Sequence, residues 1–172
     1  MTIRRITEND LVTRVKWMNH PNVYSSMHYD VPVQLENTVS WYKNNLNNSY
    51  RADVVFEEDG KVVAMGGLTG IDTKLKKAEL YIFVDPFRQS KGTGTVATML
   101  LCQYGFLTLG LQKIYLVTNE SNIPAQKVYE KVGFQLEGRL RKETIVNNKI
   151  EDRLYYGLFN NELINISDGI IK

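Results

Sequence analysis

The sequence predicts a mixed α/β fold of the α+β kind, a central mixed and mostly antiparallel sheet with helices on both faces. Three observations predict it. β-Prone runs alternate with helical ones along the chain; two pairs of such runs are joined by tight-turn residues; and apolar residues recur at helical spacing between them.

Residues 2–6 read as a first strand, after which Thr7 and Asp10 form a capping-box pattern ahead of a helix carrying Leu11, Val15 and Met18. Leu35, Val39, Tyr42 and Leu46 predict a second helix over 35–46, and Pro21 and Pro32 punctuate the loop between the two. Runs 52–56 and 61–68 form a hairpin across Glu58-Asp59-Gly60. A basic loop with Lys74, Lys76 and Lys77 leads to a strongly β-prone run, 78–84, that stops at Asp85-Pro86. A glycine-rich turn then opens a helix over about 95–109, ended by Gly110. Strand 113–118 and helix 124–132, closed by Gly133, precede a last hairpin of 140–146 and 150–159 across Asn147-Asn148, residues that tolerate positive φ.

At 172 residues the chain supports one core and one domain, residues 1–172, with its site built in. The 43% hydrophobic and 23% charged content exclude a disordered or fibrous chain. Lys and Arg total 21 against 19 for Asp and Glu, interspersed to a net +2, so no nucleic-acid partner is expected. Cys102 is alone in an apolar stretch, which predicts a buried thiol in a reducing compartment. No signal-like segment and no run of ~18 apolar residues is present, so the expectation is a cytoplasmic protein with no membrane partner. Two distant histidines and one cysteine offer no metal-ligand spacing, and no metal is expected.

The stretch from Asp85 to Thr95, between a strand and a helix, carries most of the chemistry. Gly92 and Gly94 lack Cβ atoms, so backbone N–H groups there can approach an anion, and the helix N-terminus behind them is partly positive. A diphosphate suits it, with Arg88 and Lys91 at the rim or simply solvated. A Walker A loop is excluded, because no Gly-x-x-x-x-Gly-Lys-Ser/Thr occurs. Gly92-x-Gly94-x-x-Ala97 also fits a dinucleotide fingerprint, with Glu120 placed as its ribose acid, but Pro86 to Lys91 intervene where the first glycine should follow its strand at once.

A second motif runs from Asn119 to Phe134. With it the sequence resembles the GNAT superfamily of acyl-CoA-dependent N-acetyltransferases: Gln89-x-x-Gly92-x-Gly94 matches the family's pyrophosphate loop. Asn122, Ala125, Tyr129, Gly133 and Phe134 match its Asn-x-x-Ala-x-x-x-Tyr-x-x-x-Gly-Phe pattern. The resemblance covers residues 52–158 well and the N-terminal helices more loosely. It implies acetyl-CoA as co-substrate, with the pyrophosphate held by backbone N–H groups across Gln89, Ser90, Lys91, Gly92, Thr93, Gly94 and Thr95. It implies that the main chain of Phe83 and Val84 pairs with the pantetheine arm as an added strand, and that Asn122 hydrogen-bonds that arm. It further implies that Tyr129 faces the thioester sulfur and protonates it, if its surroundings bring the phenol near a thiol's pKa. Asn122 also reads as a helix cap, and Tyr129 as a packed aromatic. A carboxylate on the strand of Glu79 is a proposed base in resembling families; Glu79 also reads as an exposed partner of a lysine, and His28 is a second base candidate.

The N-terminal layout around Trp17-Met18-Asn19-His20-Pro21 and Trp41 is similar both to amino-sugar-nucleotide N-acetyltransferases and to ribosomal-protein N-terminal and spermidine acetyltransferases. The mixed, aromatic character of Met27, His28, Tyr29 and the alternating Tyr residues favours a small-molecule amine, with an amino sugar nucleotide as the first expectation. Ribosomal-protein and polyamine acetylation are the alternatives, as is a non-catalytic acyl-CoA sensor. A monomer or a homodimer is compatible with all of them.

Overall fold

The computed structural model describes residues 1–27, 29–88, 92–146 and 148–164. The order is β1 (Thr2–Arg5), α1 (Leu11–Met18), α2 (Pro21–Tyr24), α3 (Leu35–Asn45), β2 (Arg51–Glu58), β3 (Lys61–Asp72) and β4 (Lys77–Val84). α4 (Thr93–Gln103), β5 (Lys113–Asn119), α5 (Ile123–Val132), β6 (Gln135–Val146) and β7 (Lys149–Phe159) follow. Among the described residues seven strands form one sheet in the order β1-β2-β3-β4-β5-β7-β6. Every pairing is antiparallel except β4 with β5. That is the predicted mixed, mostly antiparallel sheet.

Alternation along each strand divides the side chains between two faces. On the first face Ala78 and Leu80 of β4 join Ile114 and Leu116 of β5, Leu154 and Leu158 of β7, Ala97 and Leu101 of α4 and Val132 of α5 in one core. On the second face Met65 and Phe83 pack with Leu11 and Trp17 of α1 and Val23 of α2, with Trp41 and Tyr42 of α3 alongside. α4 and α5 thus cover one side and the N-terminal helices the other.

The capping box forms as expected: the Asp10 carboxylate accepts from the Thr7 backbone N–H at 2.7 Å and from its hydroxyl at 2.9 Å. Arg4 of β1 donates to both Asp10 oxygens and to Glu57 of β2, tying the head of α1 to the sheet. Both predicted N-terminal helices form, with α2 added where the sequence predicts a loop, and Leu11, Met18, Val39 and Tyr42 pack inward as their spacing predicts, though not alone. α1 buries Leu11, Arg14 and Trp17 while Val15 is only half-buried, because the large indole takes the core position. α3 turns Thr38, Trp41 and Tyr42 inward and leaves Leu35 and Leu46 exposed. β6 begins at Gln135, five residues before the predicted start at 140, since pairing of Gln135 with Gly157 and Leu136 with Tyr156 holds a polar segment extended that its own propensity does not. The helix predicted over 95–109 is α4 followed by a π-helical turn, Tyr104–Thr108, ending at left-handed Gly110.

Candidate active site

β4 pairs with β3 along its length to Val84, yet it pairs with β5 only from Lys77 to Glu79. Past Glu79 the two parallel strands part. Among the described residues, the β5-facing edge of 80–84 has no strand partner, so its N–H and C=O groups are open to an extended guest chain. Phe83 and Val84 lie on that edge, the arrangement the pantetheine expectation requires.

The head of α4 closes the gap. Gly92 caps it with φ 102°, a left-handed conformation that a residue with a Cβ adopts only under strain. A Cβ built on Gly94 would come 3.7 Å from Val128 of α5 and 3.8 Å from Val84, so this first turn sits against both the tip of β4 and α5. Helix geometry aims the N–H groups of the first turn, Thr93 to Thr95, out of the helix, where the dipole favours an anion. These features fit a diphosphate. Gln89, Ser90 and Lys91, the rest of the expected loop, lie outside the described residues, as does His28. Arg88 is engaged in an ion pair with Glu58 on the β2–β3 hairpin.

Asn122 is the N-cap of α5: its Oδ1 accepts from the Ala125 N–H at 3.4 Å while its own N–H donates to the Asn119 carbonyl. The capping reading is therefore realised. Tyr129, two turns on, packs edge-on against Phe134 at 5.8 Å and lies 6.2 Å from Tyr156, and no hydrogen bond to its hydroxyl forms among the described residues. Burial pushes its phenol up to about 12. Against a thiol at ~8.5, complete proton transfer is uphill from this apolar seat, the reverse of the lowered value that full protonation calls for. What Tyr129 retains across neutral pH is a proton to share in a hydrogen bond.

Glu79 is the last β4 residue paired with β5, opposite Tyr115. Its parity is that of Tyr81 and Phe83, so it projects on the second face, whereas Tyr129 packs on the first. The two expected catalytic groups therefore lie on opposite faces of the sheet. Tyr115 and Tyr155 stack at 5.2 Å beside Glu79. Burial first, and the Glu79 charge second, raise the Tyr115 phenol; burial, Glu137 and Glu79 raise that of Tyr155.

Sequence reasoning missed a buried polar group on this same face. Asp53 of β2 accepts from Tyr81 Oη at 2.6 Å and from Arg51 Nε and Nη2 at 2.7 and 2.8 Å. The Tyr81 ring lies close over Gly67 of β3, where a Cβ would approach it to 2.7 Å. Arg14 reaches down from α1 with its guanidinium 4.7 Å from the Trp41 ring centre, 5.4 Å from Phe83 and 5.7 Å from Tyr81. The available signal was a charge at i+3 from Leu11 and i−3 from Trp17, on the stripe that faces the core. A cavity of about 170 Å³ bordered by Arg5, Trp41, Asn45 and Asp53 lies between α3 and the outer strands, away from the gap.

Among the described residues no group of three potential metal ligands gathers, and no helix is long and apolar enough to cross a membrane. Burial pushes the Cys102 thiol up, as befits a small core hydrophobe.

The family described as "Acetyltransferase (GNAT) domain" matches residues 1–135. The spermidine N(1)-acetyltransferase of Escherichia coli (strain K12) is 28% identical over 162 residues, 94% of this chain and 81% of that protein. A putative ribosomal N-acetyltransferase of Bacillus subtilis (strain 168) is 31% identical over 104 residues, 60% of this chain and 57% of that protein. In fold, the crystal structure of spermidine N-acetyltransferase from Vibrio cholerae in complex with CoA and spermine superposes with a TM-score of 0.88 at 24% identity, covering 94% of this chain and 96% of that one.

Proposed function

The chain belongs to the GNAT acetyltransferase family, and on that premise we propose that it transfers the acetyl group of acetyl-CoA to a small primary amine by direct attack at the gap between β4 and β5. The carrying observation is the parting of β4 from β5 immediately after Glu79, with a glycine-built helix head at one side and Asn122 at the other. When bound, acetyl-CoA supplies an acetyl thioester. Phe83 and Val84 offer main-chain groups to its arm, and the first turn of α4 with Gly92 holds its diphosphate. Gln89, Ser90 and Lys91 complete that loop on the family resemblance alone. Glu79, directly or through a water, takes the proton of the incoming amine. Tyr129 donates a hydrogen bond from its hydroxyl towards the sulfur, and its raised phenol pKa keeps that proton in place.

The relatives' activity makes a polyamine the acceptor with comparative support, and the amino sugar nucleotide expected from the sequence draws none from them. The ribosomal relative keeps a peptide N-terminus as a second acceptor to test. Transfer of label from acetyl-CoA to spermidine, other small amines and peptide N-termini tests the proposal. Acetylation of a small amine is expected; transfer to peptides alone, or none despite coenzyme binding, would refute it.

A further inference from the structure

Three buried side-chain atoms among the described residues lack a hydrogen-bond partner: Arg14 Nη1, Asn119 Oδ1 and Arg153 Nε. All three belong to the second face. Arg14 is placed there by its contacts with Tyr81 and Phe83. Asn119 and Arg153 face each other across β5 and β7, out of step with the first-face residues Leu116, Leu154 and Tyr156. The dry first face has no such atom among the described residues.

Arg14 carries the argument. It is 7% exposed, and no carboxylate pairs with it among the described residues. Asp53, the buried acid nearby, already accepts from Arg51 and Tyr81. Aromatic faces at 4.7–5.7 Å attract the cation but leave its N–H unsatisfied. Buried arginines are rare without a partner, and a neutral apolar side chain would occupy the space at lower cost. An anion would complete the hydrogen bonding of the guanidinium, and Phe83, whose ring that group approaches, lies on the open half of β4. Asn119, 2% exposed at the end of β5, has its side-chain Oδ1 unpaired, but Arg153, whose Nε is likewise unpaired, stands directly opposite it, so Arg14 is the group left without an unpaired neighbour of its own.

We propose that Arg14 is an acceptor anchor: it holds a carboxylate or phosphate carried by the same molecule whose amine is acetylated. This rests on the amine-acetylation reading and narrows it to an amine that also bears an anion. A bare polycation brings Arg14 no partner and adds a like charge beside it.

The test compares matched acceptors with the full chain: β-alanine against β-alaninamide, O-phosphoethanolamine against ethanolamine, and spermidine beside them. Each is run with wild type, Arg14→Met and Arg14→Lys. In parallel, the melting temperature is followed with inorganic phosphate and with propionate at saturating CoA, so that the diphosphate site is filled. The expected result is a kcat/KM higher for at least one anion-bearing amine than for its neutral twin, and a loss in Arg14→Met that is at least about tenfold greater for the former. Arg14→Lys recovers part of that difference, and the anion-induced rise in melting temperature disappears in Arg14→Met. Equal losses on both twins, an anion shift that persists in Arg14→Met, or preference for spermidine without any anion shift would each overturn the proposal and leave amine acetylation standing. If coenzyme binds and no amine is acetylated, the amine-transfer reading fails, and the melting shifts alone decide whether Arg14 binds anions.

Discussion

The two faces of the sheet are built from the same strands and do opposite work. Under α4 and α5, Leu101, Ile114, Leu116 and Leu158 are fully buried in an apolar layer. Under α1 and α3 the buried residues include Arg14 and Asp53, with Tyr81, Phe83 and Trp41 packed around them. Burying charge costs stability even when it is partnered, so the second face gives up part of what the first supplies. The lesson is that unmet buried polar atoms gather on one face, and the apolar layer that carries stability on the other.

Substitutions sharpen that contrast when they separate activity from stability. The largest effect is expected for Glu79→Gln: loss of a general base costs about 10²–10⁴-fold in kcat, with little change in melting temperature because the side chain is half-buried and makes no hydrogen bond or ion pair among the described residues. A fall in stability to match would mean that Glu79 belongs to the structure. Leu101→Ala should do the converse, destabilising by about 2–5 kcal/mol in denaturant unfolding while the surviving folded enzyme turns over normally. Tyr129→Phe is expected to lower kcat about tenfold, the worth of one hydrogen bond to a charged centre, at unchanged KM for acetyl-CoA. An unchanged rate of CoA release would leave Tyr129 as a packing residue alone.

Gly67→Ala breaks the comparison from the side of the second face. Its methyl would meet the Tyr81 ring at 2.7 Å and the Ala52 carbonyl at the same distance, displacing the ring from Asp53. About 1–3 kcal/mol of stability should go, together with the Tyr81–Asp53 bond, seen as a perturbed tyrosine absorption. The smallest effect concerns acid. Burial works to raise the Asp10 carboxyl, but bonds from Arg4 and Thr7 outweigh it and leave the group below its ordinary 3.8. Its contribution is therefore complete above pH ~3.8, the unfolded value, and lost as pH falls through the lower folded value. Asp10→Asn should flatten that acid limb in a pH series of unfolding curves.

How legible all this was varies with the length scale of the cause. The strands, the hairpin of β2 and β3 and the helices were written in local patterns, and both glycine caps, Gly92 and Gly133, take the left-handed φ that only glycine accepts readily. The burial of Arg14 and Thr38 beside the predicted apolar positions, and the exposure of Leu35 and Leu46, escaped, since apolar spacing does not say how far a buried stripe extends. The early start of β6 escaped because β7 imposes it. Of the expected site residues, Gly92, Asn122 and Tyr129 were readable as motif residues and Phe83 and Val84 only through the family resemblance, while Arg14, Asp53 and Asn119 carry no motif.

By itself the sequence determined the elements, the glycine turn at the head of α4 and the family, because these depend on dihedral preference, periodicity and spacing along a short stretch of chain. Tertiary structure alone decided where β4 and β5 part, that Glu79 and Tyr129 lie on opposite faces of the sheet, and that Arg14 is buried with no carboxylate partner among the described residues. Those facts depend on which distant strands and helices meet, and contact between segments far apart in the chain leaves no local pattern to read.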